Sequence, residues 1–174
     1  MRTVLSSIES EYRRYKRLGD DSIRQLDAEA LIRQPPGDGN SVAAIVWHIS
    51  GNLRSRFTDF LTTDGEKPWR DRESEFARRA VSADEVRAKW EEGWDVLFRA
   101  LAALSDDDLS RTVVIRGQDL SVLDALQRSV THASYHVGQI VFLARSLRGK
   151  RWEWLTIPPG QSDAYNQNPR REKP

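Results

Sequence analysis

The sequence predicts an all-α protein built around one core. Apolar residues recur at intervals of three and four along four long segments, which is the spacing of an amphipathic helix. Glycine, proline and helix-capping residues separate these segments, and no internal repeat or low-complexity run is evident. With 174 residues, of which 39% are hydrophobic and 30% charged, the chain fits one globular domain of ordinary size.

The first predicted helix extends from Val4 to Leu18 and carries its apolar side chains on one face. We expect it to end at Gly19, because glycine often follows the last residue of a helix. A short helical turn is predicted at residues 27–33. The segment 34–39 (QPPGDG) is predicted to be a loop, because its prolines and glycines interrupt the helical pattern.

The second predicted helix carries an apolar stripe from Val42 to Leu61, and either Asn40 or Ser41 can cap its N-terminus. Gly51 lies inside this stripe and lowers the helix propensity, for which the sequence offers no reason. Residues 63–79 are rich in charged side chains and contain a glycine turn. They are therefore predicted to form a long loop.

The third helix opens with a capping box at Ser82–Glu85 and carries its apolar stripe as far as Leu104. Ser105 then caps a further helical turn. Residues 112–121 contain β-branched side chains around a glycine, and this pattern is compatible with a small hairpin or with a coil connection.

The fourth helix is capped by Ser121 and has Gly149 just beyond its end. Four amphipathic helices of this kind can bury their stripes only against one another, so a bundle with near-zero sheet content is expected. The predicted organisation is a helical bundle at residues 1–149, followed by an extended tail at residues 150–174 that packs on the bundle or projects from it.

Composition excludes several classes of function. The 27 Lys and Arg residues nearly balance the 26 Asp and Glu residues, so no overall field attracts nucleic acid or an anionic membrane. Without cysteine, the chain has no disulfide, no thiolate metal site and no cysteine nucleophile. The N-terminal region lacks an apolar stretch of signal-peptide length, and no segment approaches the roughly 18 apolar residues of a membrane span. A cytoplasmic protein is therefore expected.

The three histidines of the chain are candidates for a metal site. His132 and His136 are four residues apart on the fourth helix, so they are separated by about 40° and about 6 Å and can face one ion. His48 lies beside the apolar stripe of the second helix, where a bundle can bring it opposite the other two. Three imidazoles with solvent in a fourth position would form an open site of the catalytic type.

A second interpretation stays open, because histidines at a helix boundary are often only hydrogen-bonded. Asn52, one turn after His48, and Gln139, three residues after His136, are placed to hydrogen-bond the ligands or a substrate. They are equally compatible with ordinary polar positions at a helix boundary.

Two other groups of residues have alternative interpretations. Five of the six tryptophans, namely Trp47, Trp90, Trp94, Trp152 and Trp154, can line an apolar pocket above the histidines, although core packing is the default. The arginine pairs at 13–14, 78–79 and 170–171 can bind an acidic cosubstrate, although interleaved acidic residues favour a solvated surface.

The residues around the histidines resemble the motifs of a known superfamily. The segment 131–140 (THASYHVGQI) is similar to the C-terminal metal motif HxxxHxGQI of the DinB/YfiT-like superfamily, and 46–52 (VWHISGN) resembles the histidine motif that precedes it. The segment 154–166 (WLTIPPGQSDAYN) further resembles the ending of the DUF1572 subgroup. The resemblance implies a DinB-like four-helix bundle with long connections, which is commonly a homodimer.

The same resemblance implies a divalent metal ion, zinc or nickel, bound by His48, His132 and His136 with solvent completing the shell. Some proteins of this superfamily are S-transferases or isomerases that use bacillithiol, mycothiol or glutathione. The first hypothesis is therefore a metal-dependent enzyme that transfers a low-molecular-weight thiol to a small electrophile. Because the chain has no cysteine, the thiol must be a cosubstrate.

The second hypothesis is a non-catalytic metal-binding bundle acting in dimerisation or partner binding, since no general acid or base can be assigned from the sequence.

Overall fold

The computed structural model describes residues 3–169, and these are mostly helical, as predicted. The helices are α1 (Val4–Arg24), α2 (Ala28–Ile32), α3 (Val42–Phe57), α4 (Arg72–Glu75), α5 (Ala83–Ala102), α6 (Val122–Arg148) and α7 (Ser162–Gln167). Short 3-10 turns occupy Asp106–Ser110 and Gly149–Arg151, and strands β1 (Thr112–Ile115) and β2 (Gln118–Ser121) form one antiparallel hairpin. Within the described part of the chain, no helix is long and apolar enough to cross a membrane.

The four long helices α1, α3, α5 and α6 share one hydrophobic core. Helix α3 packs mainly against α5, and α1 packs mainly against α6. Side chains of Thr3, Ser41, Ser82 and Ser121 cap the four N-termini by accepting hydrogen bonds from backbone N–H groups of the first turn. Ser41 therefore caps α3 in preference to Asn40, and the predicted capping box of α5 is present.

The predicted end of the first helix is wrong, because α1 continues through Gly19 to Arg24. Gly19 is buried against the indole of Trp90 on α5, where an added Cβ would lie 2.6 Å from Cη2 of that ring. Trp90 Nε1 also donates a hydrogen bond to Asp20 Oδ1 at 2.5 Å. The glycine thus makes room for a tryptophan inside a continuous helix and does not terminate it.

The second long helix is shorter than its apolar stripe predicts. Helix α3 ends at Phe57, since Thr58 has an extended backbone and Asp59 has a positive φ of 49°. Phe60 is nevertheless buried, with its ring centroid 5.0 Å from that of Phe57. The apolar spacing continues past the helix because the turn brings the chain back to the same core.

The segment predicted as a long loop, residues 63–79, contains the short helix α4 and several buried polar side chains. Lys67 and Glu75 are buried, and the side chain of Arg70 is 2% exposed. These groups point inward because they pair with one another and with backbone oxygens, which offsets the cost of removing their charges from water. The prediction of a long loop is therefore wrong for Arg72–Glu75, which form α4.

Asp64 ties the same segment to the β-hairpin. Its carboxylate accepts hydrogen bonds from the backbone N–H groups of Arg116 at 2.8 Å and Gly117 at 2.7 Å, and these bonds help to lower its pKa. Arg116 and Gly117 both have positive φ, as a two-residue hairpin turn requires. Of the two alternatives for residues 112–121, the hairpin is confirmed.

The segment after α6 is not uniformly extended. Trp152 is buried in the core, and the backbone of Glu153 exchanges two hydrogen bonds with the side-chain amide of Gln25, at 2.9 and 3.1 Å. Helix α7 follows at Ser162–Gln167. Residues 170–174 lie outside the described part of the chain.

We predict that Gly19→Ala destabilises the protein and Gly138→Ala stabilises it. Overpacking against Trp90 costs about 1–3 kcal/mol, which exceeds the gain in helix propensity of about 1 kcal/mol. Gly138 is a matched control on α6, because an added Cβ there meets nothing within 4 Å. Urea unfolding of both variants measures the difference, and equal stabilisation by both would show that Trp90 does not require glycine at position 19.

Candidate metal centre

The three histidines converge on one point between α3 and α6. One ring nitrogen from each lies within 4.8 Å of the other two. His48 Nε2 is 3.3 Å from His132 Nε2, and the centroids of the three rings are 4.6–5.3 Å apart. His48 is 4% exposed, whereas His132 and His136 are half-buried. The packing of α3 against α6 thus assembles the set that the sequence proposes.

Glu75 determines the orientation and tautomer of His48. Its Oε2 lies 2.8 Å from His48 Nδ1. Burial by itself raises the pKa of Glu75, but hydrogen bonds from His48 and Arg70 outweigh it and leave the pKa below its usual value. An ionised carboxylate only accepts hydrogen bonds, so Nδ1 of His48 carries the proton. In the neutral ring, Nε2 then carries the lone pair, and this atom faces His132.

Arg70 holds Glu75 in this position. Its Nε donates to Oε1 of Glu75 at 2.8 Å and its Nη2 donates to Oε2 at 3.0 Å, while Nη1 donates to Ser55 Oγ at 3.1 Å. This bidentate pair is buried on both sides. A pair of this kind is rigid, so His48 is held by a fixed partner.

Gly51 makes space for the Glu75 carboxylate. An added Cβ at position 51 would lie 2.8 Å from Cδ of Glu75. The carboxylate has no free alternative position because Arg70 and His48 hold both of its oxygens. The glycine that the sequence left unexplained is therefore required by the contact between residue 75 and α3.

His136 has a polar partner of its own. Its Nδ1 lies 2.8 Å from Gln139 Oε1, and Gln139 Nε2 donates to Tyr135 Oη at 3.3 Å. This arrangement assigns the proton of His136 to Nδ1 and leaves Nε2 as an acceptor. Asn52 lies on the wall of the adjoining cavity, and its side chain has no hydrogen-bond partner among residues 3–169.

The protonation state suits metal binding. Burial lowers the pKa of His132 to about 4, and the neighbouring imidazoles of His136 and His48 and the charged guanidinium groups of Arg70 and Arg56 act in the same direction. Burial also lowers the pKa of His136, although its hydrogen bond with Gln139 opposes this. Both rings are neutral near pH 7, and neutral imidazole is the form that binds a metal ion.

The donor set fits a divalent ion bound by nitrogen. Two ligands at about 2.0–2.1 Å from a tetrahedral ion are about 3.3 Å apart, which matches the distance between the Nε2 atoms of His48 and His132. The same distance is also compatible with a hydrogen bond from His132 to His48. A ring nitrogen of His136 lies close to the same two atoms, so the three rings together could hold one ion.

A cavity of about 500 Å³ opens beside the histidines. Its apolar wall is formed by Phe57, Phe60, Phe76, Ile115 and Ala125, and five arginines also line it: Arg56, Arg70, Arg72, Arg116 and Arg128. Among the described residues, no carboxylate lies on this wall. The cavity thus combines an apolar patch with a positively charged lining.

The tryptophans and arginine pairs singled out by the sequence do not form this cavity. No tryptophan of the described chain is on its wall, while Trp90 and Trp94 are 2% and 0% exposed in the core. The hypothesis of a tryptophan-lined pocket is wrong, and core packing holds for these two. The pairs 13–14 and 78–79 do not line the cavity, and the pair 170–171 lies outside the described residues.

The residues that sequence reasoning missed come from the segment 63–79. Arg70 and Glu75 form the buried pair, and Phe76 stacks on His48 with centroids 4.8 Å apart. Their sequence context is polar and resembles a solvated loop. The one available signal was Gly51. Glycine lowers the helix propensity of α3, and its presence there indicates that another group approaches that helix closely.

These features define a mostly helical protein in which three histidines lie on the wall of an arginine-lined cavity. The chain matches the sequence model of the family described as "Protein of unknown function (DUF1572)" over residues 1–161, and it therefore belongs to the DUF1572 family. The resemblance to DUF1572 is thus confirmed. No curated protein matches the chain.

We predict that Glu75→Ala lowers the free energy of unfolding by about 3–5 kcal/mol, because it leaves the buried guanidinium of Arg70 unpaired. Glu73→Ala is the matched control, since Glu73 is 89% exposed in its pair with Arg72 and its loss should cost about 0.5 kcal/mol or less. Urea unfolding after treatment with a chelator compares the two variants without a contribution from metal. An equal loss of unfolding free energy in both variants would mean that the buried pair of Arg70 and Glu75 does not stabilise the fold.

Proposed function

We propose that this protein is a DinB-like four-helix bundle that binds a divalent metal ion, zinc or nickel, through His48, His132 and His136. The observation that carries the proposal is the convergence of three ring nitrogens within 4.8 Å of one another. The two hydrogen-bonded Nδ1 atoms support it further, since they leave Nε2 of His48 and of His136 available as ligands.

Glu75 and Gln139 act as positioning residues in this proposal. A metal-binding histidine commonly donates its other N–H to a carboxylate or amide oxygen, which fixes the ring and strengthens its basicity. Glu75 fulfils this role for His48, and Gln139 fulfils it for His136. The pairing of Glu75 with Arg70 keeps that carboxylate ionised and away from the ion itself.

Three protein ligands leave a position for solvent or substrate, which is typical of catalytic sites and not of structural ones. A divalent ion at such a site lowers the pKa of a thiol or water that binds it, and so supplies a nucleophile near neutral pH. The cavity of about 500 Å³ falls within the range of small-molecule sites, and its phenylalanine side chains offer an apolar surface to a substrate.

We propose the transfer of a low-molecular-weight thiol to a small electrophile as the reaction. The thiol is a cosubstrate, because the chain contains no cysteine. The thiol loses its proton to solvent, its sulfur forms a bond to the electrophilic carbon, and the bond to the leaving group breaks with its electron pair going to that group. The homodimer and the cytoplasmic location stay predictions from the sequence.

A specific observation favours a second candidate, a non-catalytic metal-binding bundle. Among the described residues, no carboxylate lies on the cavity wall, and all three histidines are assigned as ligands. General acid–base catalysis then has no obvious side chain, whereas a binding function needs none.

We predict that the protein binds about one zinc or nickel ion per chain and that His48→Ala, His132→Ala and His136→Ala each abolish stoichiometric binding, because two imidazoles hold the ion weakly. Thr131→Ala is the matched control, since Thr131 is next to His132 in sequence but exposed on the outer face of α6. Metal analysis after dialysis measures the content. Full retention of metal by both His48→Ala and His132→Ala would refute the site.

We predict turnover of an electrophile such as 1-chloro-2,4-dinitrobenzene with one member of a thiol panel containing bacillithiol, mycothiol and glutathione. The rate should depend on bound metal, because the ion is proposed to activate the thiol. Chelator-treated protein and His132→Ala are the inactive references. If the fully metal-loaded protein is inactive with every thiol, the non-catalytic function is favoured.

A further inference from the structure

The positive lining of the cavity is not used by the proposed metal site. Of the five wall arginines, Arg70 is committed to Glu75, and Arg72 contacts the exposed Glu73 at 3.4 Å. The remaining three, Arg56, Arg116 and Arg128, come from α3, the hairpin turn and α6. They approach one chamber from three separate elements.

These three arginines have fewer anionic partners than charges. Arg56 and Arg116 share a single carboxylate oxygen, Oε2 of Glu66, at 3.3 and 2.7 Å. Arg128 is exposed and has no ion-pair partner among residues 3–169. The nearby carboxylate of Asp64 accepts hydrogen bonds from the backbone N–H groups of the hairpin turn and adds one further negative charge, so three arginines face two carboxylates. An excess of positive charge therefore faces the cavity.

The arginines also repel one another. Burial lowers the pKa of Arg56, and the charges of Arg70 and Arg116 lower it further, while Glu66 opposes both effects. Like charges gathered on a partly enclosed wall are costly unless a counter-charge is bound between them. The hairpin turn that carries Arg116 is held rigidly by Asp64, so this arrangement is built into the fold.

The rise of a helix gives the axial separation between these arginines and the histidines on the same helices. Arg56 is eight residues after His48 on α3, which corresponds to about 12 Å along the axis. Arg128 is four residues before His132 on α6, which corresponds to about 6 Å. The apolar side chains of Phe57, Phe60 and Ile115 line the same cavity. A ligand can thus place a charged group at the arginines, an apolar part against these side chains and a reactive group near the histidines.

We propose that the cavity binds a small organic molecule with an oxyanion, a carboxylate or a phosphate, at Arg56, Arg116 and Arg128. The backbone positions of Arg56 and Arg128 are offset from His48 and His132 by roughly 6–12 Å along their helices. The assignment of the far end of this molecule to the histidines rests on the proposed function, whereas the anion site does not. Guanidinium groups pair with both kinds of oxyanion through directed hydrogen bonds.

The test is calorimetric titration at low ionic strength with three probes. 4-Phenylbutyrate carries a carboxylate, phenethyl phosphate carries a phosphate, and 4-phenylbutyramide is the uncharged counterpart of the first. We expect wild-type protein to bind at least one anion and to bind the amide at least about tenfold more weakly. The two anions distinguish which oxyanion the site prefers.

The variants are Arg128→Gln and Arg116→Gln, with Arg24→Gln as the matched control. Within the described residues, Arg128 has no ion-pair partner to disturb. Arg24 is a 66% exposed arginine on α1 that pairs with Asp21 on the same helix. Each cavity variant should weaken anion binding about tenfold, and Arg24→Gln should bind as wild type does. Anion binding unchanged in both cavity variants would overturn the proposal, as would amide binding equal to carboxylate binding or no binding of either anion.

The same titrations in chelator-treated protein separate this proposal from the metal site. An anion held by the arginines still binds without metal and remains sensitive to Arg128→Gln. An anion that binds only in the metal-loaded protein and is insensitive to Arg128→Gln would coordinate the ion, and the arginine site would be wrong. Failure of the metal proposal would be detected by the metal content of the histidine variants and not by these titrations.

Discussion

The buried carboxylate of Glu75 is the constraint on which the rest of the site depends. Arg70 holds both of its oxygens and His48 donates to one of them, so a single ionised group fixes two elements of the fold relative to each other. This contact requires glycine at position 51, draws α4 onto α3 and selects the tautomer of His48. A network of this kind is costly to bury unless its members are paired, and here Glu75, Arg70 and His48 each have a charged or polar partner.

Charge is distributed around the cavity in two zones. At one end, neutral imidazoles with lowered pKa values face one another, as a cation site requires. At the other end, Arg56, Arg116 and Arg128 present positive charge without enough carboxylates to neutralise it. In our proposals, a cation at the histidines and an oxyanion at the arginines attract each other, so each strengthens the binding of the other by the same factor.

Much of the fold was predictable because local chemistry determines it. The helix caps, the capping box at Ser82, the end of α6 before Gly149 and the inward position of the three histidines all follow from patterns that act over a few residues. Gly19 was misassigned, since the same residue serves at a helix terminus and against a tryptophan from another helix. Only the packing partner distinguishes these two uses.

The sequence by itself determined the helical class, the three histidines proposed as ligands and the resemblance to DUF1572, which the family match confirms. Tertiary structure alone decided that Arg70 and Glu75 leave a polar segment to become buried, and that Arg56, Arg116 and Arg128 meet at one cavity. The physical reason is that a charged residue has the same local sequence pattern whether its side chain is solvated or buried in an ion pair. Its partner lies on another element, and sequence spacing does not give the distance between the two side chains in the fold.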